Sequence, residues 1–182
     1  MRGSLRDVCG ITAAAAVTIT TSLSFVVAAG TAAGAAAIPH FKPPKVYGTH
    51  FQSDPHHDFT KHISPRHDGI LRGWVVNYSK SGVAEYKPIR WVKGKPGVDG
   101  FFTDPPEGDV TAYASKVSSK AVLYSVSNCD PAGTKPTVDR HGLGAKRCSR
   151  KALLKHLKTG HIASLITIYH GRIVKIQEIS AG

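Results

Sequence analysis

From Ile70 onward the chain alternates between short runs of β-branched and aromatic residues and breaks made of Gly, Ser and Pro. "GILRGWVVNYS" (69–79) and "VAEYKPIRWV" (83–92) flank Lys80-Ser81-Gly82, which is the pattern of a β-hairpin. Pro88 inside the second run lacks a backbone donor and confines that strand to an edge or a bulge. Residues 93–109 are rich in Gly and Pro and predict a long loop. "VTAYAS" (110–115) and "KAVLYSVS" (120–127) predict two further strands joined by a short turn. Only one segment carries a helical pattern. Ser149 suits an N-cap, Ala152, Leu153, Leu154 and Leu157 form an apolar stripe, and Gly160 ends it.

The last apolar runs, Ile162–Tyr169 and Arg172–Ile179, meet at His170-Gly171 and predict a second hairpin. With a two-residue turn, alternation places Leu165, Thr167, Val174 and Ile176 on one face. Ile166, Ile168 and Ile173 then share the other with Lys175 and Gln177. Both faces are apolar near the turn, so this hairpin is expected to be buried on two sides. Six strands and one short helix over residues 70–182 make the fold class mainly β, of the α+β kind. The expected architecture is a small OB-like β-barrel or a curved antiparallel sheet capped by the helix. An open sheet with one helix on it is the alternative.

Periodicity is absent from residues 38–69. This stretch holds Pro39, Pro43, Pro44, Pro55 and Pro65, six of the ten histidines, and the aromatics Phe41, Tyr47, Phe51 and Phe59. Proline removes donors and biases its neighbour toward extended geometry, so an irregular arm is expected, with its aromatics laid against the domain. Ahead of it, Arg2 and Arg6 precede an uncharged apolar run from Ile11 to Ala29, and small residues end in Ala35-Ala36-Ala37. A basic start, an apolar core and an A-x-A-like end describe a secretory signal peptide over residues 1–37, cleaved near Ala37. A single membrane anchor is the alternative; the run is interrupted by Thr and Ser, and no basic stop-transfer cluster follows.

Export changes the reading of composition. Loss of residues 1–37 leaves 145 residues with 22 basic and 11 acidic side chains, a formal charge of +11. Such an excess favours polyanionic partners: an anionic cell-wall polymer, nucleic acid or an acidic surface. A protein partner is the other class. It also leaves two cysteines, Cys129 and Cys148, which in an oxidising compartment are expected to pair. The loop they close, residues 129–148, has hardly any apolar residue to bury. A crosslink there contributes on the order of 3 kcal/mol by chain entropy.

"GWVVNYSKSGVAEYKPIRWVKG", "EGDVTAYASKVSSKAVLYSV", "SRKALLKHLKTG" and "LITIYHGRIVKIQEI" follow one another in an order that resembles small exported domains of Gram-positive bacteria, themselves uncharacterised. The resemblance spans roughly residues 69–180 and rests on Gly73, Trp91, Gly94 and Gly171. It implies an OB-like layout and carries no activity. The stapled loop and the basic helix depart from that layout.

Chemistry-bearing clusters are few. "DPHHDFTKH" supplies His56, His57, Asp58 and His62, with His50 and His67 near, a set that could ligate zinc or copper if a scaffold gathered it. The arm offers no such scaffold, so no metal or other cofactor is assigned and the stretch reads as a polar stem. No nucleophile motif occurs, and no catalytic residue is assigned. A small secreted hydrolase of nuclease type would have to use His161, His170, Arg172 or Glu178, on or beside the last hairpin. An exported protein inhibitor that presents the stapled loop is a third class. The clearest signal is Lys146, Arg147, Arg150, Lys151, Lys155 and Lys158, which run from the loop into the helix, a helix with no acid. Cations in a first turn oppose the helix dipole, and Lys151, Lys155 and Lys158 repel at i, i+4 and i+7. A bound polyanion would offset both costs.

Overall fold

Within residues 37–60, 64–106, 112–130 and 135–180, which the computed structural model describes, the β-prone runs form strands and the Ser149-capped segment forms the helix. The elements are β1 (Gly69–Tyr78), β2 (Val83–Pro88), β3 (Arg90–Val92), β4 (Phe101–Thr103), β5 (Tyr113–Ser125), β6 (Lys146–Arg147), α1 (Arg150–Thr159), β7 (Ser164–Tyr169) and β8 (Arg172–Glu178). The leader assigned to residues 1–37 lies outside the described residues but for Ala37.

Five strands close on themselves. β1 pairs antiparallel with β2 and with β7, β7 pairs antiparallel with β8, and β5 pairs antiparallel with β2. The ring is completed by β5 and β8, which run parallel. A parallel pair needs a crossover, and α1 lies within it. The resulting order, β1-β2-β5-β8-β7 and back to β1, is that of an OB-like barrel with its helix before the fourth barrel strand. The fold class expected from the sequence is the one observed.

Alternation selects the core. Leu71 and Val75 from β1, Ala84 and Tyr86 from β2, Tyr113, Val117, Ala121 and Leu123 from β5, and Ile166, Ile168, Ile173 and Ile176 from the last hairpin fill the interior. α1 adds Leu153 and Leu157, both fully buried. Each contributes about 2 kcal/mol by the area it removes from water. Gly73 is required by packing: a Cβ there would run into the Lys87 carbonyl on β2.

Three local expectations are corrected. Residues 113–125 form one strand where two were expected, and the supposed turn is a bend at which the pairing with β8 shifts between Val117 and Val122. Tyr113–Lys116 of β5 pair with β2, while Lys116, Val117 and Val122–Tyr124 pair with β8, so one curved strand joins two sides of the barrel. The Gly/Pro loop 93–109 contains β4, which pairs with β3 and stacks Phe102 edge-on to Trp91. In the last hairpin the His170-Gly171 turn has two residues with positive φ, 49° and 66°, as a type I′ turn demands. A bulge then shifts the register between Thr167 and Ile168, so Ile176 faces Ile166 in the core and does not share a face with Leu165.

Burial on both sides of β7 is observed, and the arm explains it. Leu165 points away from the interior into a second cluster with Leu143 of the stapled loop and Ile179, closed over by Val46, Ile70, Phe102 and Ala163. The arm has no strand or helix among its described residues, yet it is fastened. The buried guanidinium of Arg72 donates to the carbonyls of Lys45, His50 and Ile89. The Arg72 backbone N–H donates to Gln52. Tyr47 lies between Trp91 and Phe102 and donates to the Ser180 carbonyl.

Candidate functional site: the basic helix face and the His156–Glu178 cleft

α1 begins where Ser149 accepts a hydrogen bond from the Ala152 N–H and ends at Gly160, whose φ is 65°. Spacing of three and four puts Leu153, His156 and Leu157 on the barrel side. The opposite side exposes Lys151, Lys155 and Lys158, and Lys146 and Arg147 are exposed on β6 just before the helix. β6 pairs with the end of β5, Arg147 opposite Tyr124 and Lys146 opposite Ser125. Arg150 is also exposed and donates to the Ser118 carbonyl at the bend of β5, 2.9 Å away. The six residues picked out by the sequence thus fall on α1 and the short strand leading into it. None of them forms an ion pair among the described residues, where the ion pairs are His57–Asp54, His67–Asp54, Lys87–Asp104 and His156–Glu178.

The disulfide pins this surface. Cys129 and Cys148 are bonded, with their Cα atoms 5.5 Å apart. The bond ties the end of β5 to the residue before the N-cap. Burial in the loop is greater than its composition suggested. Leu143 is buried in the second cluster, its backbone bridges to Ile179, and the Asp139 carboxylate accepts from the N–H groups of His141 and Leu143.

Beneath the lysines lies a group that sequence patterning missed. His156 is buried, and its Nδ1 is 2.9 Å from Glu178 Oε1. Glu178 Oε2 accepts from Ser125 Oγ at 2.7 Å and from the Val126 N–H at 2.8 Å. Burial alone would push the Glu178 pKa up, but the hydrogen bonds from His156, Ser125 and Val126 together hold it below the ordinary carboxylate range. An ionised Glu178 can only accept, so the imidazole donates to it from Nδ1. His156 and Glu178 line a cleft of about 350 Å³ with Leu123, Ala152, Lys155 and Thr159. The signal was available: residue 156 lies three beyond Leu153 and next to Leu157, on the buried stripe, but the surrounding lysines masked it.

The hydrolase set does not assemble. His170 and Arg172 sit at the turn that opens β8 and Glu178 closes the strand, on the order of 20 Å away at about 3.3 Å per residue. His161 leans on Trp74 just past the helix C-terminus. Of that set, Glu178 pairs with His156, which was not in it.

The histidine-rich stretch also disperses. His57 is packed between Phe59 and Tyr113, and that burial lowers its pKa. His67 binds Asp54 at 2.7 Å. Burial raises the Asp54 pKa, but the His67 N–H, the His67 ring and the Arg66 charge bring it below normal. Asp58 caps Thr60, His50 touches Thr49, and His56 is exposed. His62 lies outside the described residues. Among the described residues no three His, Cys, Asp or Glu side chains are grouped as a metal site.

Comparison with protein-family models, curated proteins and solved structures found no match to this chain. Among the described residues no helix is long and apolar enough to cross a membrane.

Proposed function

We propose that the chain is an exported, non-enzymatic binding module that holds an anionic cell-wall polymer against the outer face of α1. The observation that carries this reading is the set of cations Lys146 and Arg147 on β6 and Lys151, Lys155 and Lys158 on α1, none of them in an ion pair among the described residues, on a helix with no acid in its first turn. Lys151 in the first turn opposes the helix dipole, Lys151, Lys155 and Lys158 repel one another along the helix, and a polyanion that releases its counterions offsets that cost. Export is part of the reading. The basic, apolar and small-residue segments of residues 1–37 supply the leader, and the Cys129–Cys148 bond suits an oxidising compartment. The resemblance of residues 69–180 to small exported Gram-positive domains agrees with it.

Single-stranded nucleic acid is a less favoured occupant. Proteins that bind it without sequence preference stack bases on exposed aromatics. The large hydrophobics exposed here, Ile38, Tyr47, Phe59, Val98, Phe101 and Val138, all lie off α1 and β6.

Retention on immobilised heparin, read as a function of salt, tests the reading. The wild type is expected to elute late at low salt, with affinity falling linearly in log salt, and Lys151→Glu/Lys155→Glu/Lys158→Glu is expected to elute near the void. Absence of retention by the wild type at low salt overturns it. Cleavage of RNA or DNA that is lost in a His161→Ala or His170→Ala variant would select the hydrolase reading instead.

A further inference from the structure

We infer that the cavity between the arm and the outer face of β7 and β8 binds a small carboxylic acid with an apolar body, its carboxylate held by Lys175 and Thr167. The cavity shares no residue with the basic face of α1 and β6, so the inference stands apart from the polymer reading.

Two cross-strand partners supply the polar end. Thr167 is 5% exposed, and its hydroxyl is buried with no hydrogen-bond partner among the described residues. A buried polar group in that state costs free energy unless something reaches it. Lys175 stands directly opposite Thr167 in the β7–β8 ladder, so the two side chains share the outer face. Lys175 is half-buried, and desolvation lowers its pKa. Among the described residues no carboxylate pairs with it. What it meets is neutral: Gln177 Oε1 at 3.3 Å and the ring of Tyr124 at 6.0 Å. An ammonium only donates, and a hydroxyl can donate. The pair therefore offers donors and one positive charge with no acid to answer them, which selects an anion.

The walls decide which anion. Thr167 and Lys175 border a cavity of about 350 Å³, at the small end of the range for ligand pockets. Ile70, Leu165 and Val174 of the barrel, Leu143 of the stapled loop, and Ile38 and Phe41 of the arm give it apolar sides. Phe41 is set against Tyr169, with ring centroids 6.3 Å apart, which fastens the arm's side of the cavity. Such walls suit hydrocarbon and offer little to a hydrated inorganic ion. Asp139 also borders the cavity, its carboxylate occupied by the N–H groups of His141 and Leu143. A second negative charge on the ligand would face it, so a carboxylate is favoured over a phosphate dianion.

Calorimetric titration of the disulfide-bonded protein with octanoate, octanol, octylamine and octyl phosphate tests the site, with the backbone amide resonances of β7 and β8 locating it. Octanoate is expected to move the resonances around Thr167 and Lys175. It is expected to bind about tenfold more tightly than octanol or octyl phosphate, the worth of one charge-assisted hydrogen bond, and octylamine is expected not to bind. Lys175→Met is expected to weaken octanoate about tenfold and to leave octanol unchanged. Thr167→Val keeps the branched shape and removes the stranded hydroxyl. It is expected to weaken octanoate about fivefold while the unliganded protein melts no lower than the wild type, a combination that a merely structural threonine would not give. Octanoate that fails to bind, binds no better than octanol, or binds more weakly than octyl phosphate or octylamine overturns the inference, as does undiminished binding by Thr167→Val. Heparin retention reads the other face: where it persists beside any of these results, only the cavity site falls.

Discussion

The guanidinium of Arg72 donates to the carbonyl oxygen of His50 at 2.6 Å, and its other nitrogens hold the carbonyls of Lys45 and Ile89. No carboxylate pairs with this buried cation among the described residues, and burial lowers its pKa. Its charge is compensated by backbone dipoles, those of Lys45 and His50 in the arm and that of Ile89 just after β2. Arg72→Met keeps the length of the stem and removes every donor. Leaving three carbonyls and the arm unfastened is expected to cost about 3 kcal/mol. Urea unfolding would measure the loss, and limited proteolysis would show cuts between residues 45 and 50 well before the barrel is attacked. Protection of that segment in the variant would contradict the latch.

Glu178 makes stability depend on acid. Its folded pKa lies below the ordinary value of 4.5, because three donors outweigh the effect of burial. A carboxylate of that kind adds stability in full above its unfolded pKa, and the addition is lost as pH falls through the folded one. Through Glu178, urea midpoints are therefore expected to drop once pH passes below about 4.5, beyond the earlier loss that begins below about 6.5 from His57, whose pKa burial lowers. Glu178→Gln is expected to lower stability by about 2 kcal/mol at neutral pH and to flatten the acid limb. Asp54, also shifted down from 3.8, keeps a residual slope at lower pH. An acid limb of unchanged steepness in the variant would show that Glu178 is not its source.

The barrel was legible in the sequence because its strands carry their own pattern: alternation in 69–78 and 83–88, the Lys80-Ser81-Gly82 turn, the His170-Gly171 turn. What escaped was set by tertiary geometry. Tyr113–Ser125 reads as two strands because Ser118, Ser119 and Lys120 interrupt the alternation where the strand bends. The bulge that moves Ile176 into the core leaves no trace in hydrophobic spacing, since either face of β8 would pass as apolar. Arg72 looked like an ordinary strand cation, because nothing local announces that a distant arm will cover it. His156 had a spacing signal and was passed over for the lysines around it. The basic cluster itself was found from sequence, since charge runs need no fold to be seen.

Reduction of Cys129–Cys148 separates two contributions to the loop it closes. The crosslink spans a sequence separation of 19, worth about 3 kcal/mol by restriction of the unfolded chain. Leu143 is a second anchor, 8% exposed beside Leu165 and Ile179. Leu143→Ala is expected to cost about 2 kcal/mol, at the low end for a core leucine because the site lies outside the barrel. The two act on different states, one on the unfolded chain and one on the packed loop, so their costs are expected to add in guanidinium melts of the variant with and without reductant. Strong non-additivity would mean that the loop releases Leu143 as soon as the sulfurs part.

Lys151 gives the polymer reading its most discriminating test, because binding and stability should move in opposite directions there. It sits in the first turn of α1, where a cation opposes the dipole, and four residues before Lys155. Lys151→Glu reverses both terms and creates an i, i+4 pair with Lys155, a gain of about 1 kcal/mol at low salt that shrinks as salt rises. The same change removes one cation from the outer face and sets an anion there, so heparin elution is expected to shift to clearly lower salt while the melting temperature rises by a few degrees. A residue selected only for a solvated helix would let both improve or leave both unchanged. A lysine kept at a structural cost for the sake of a ligand must lose the one when it gains the other.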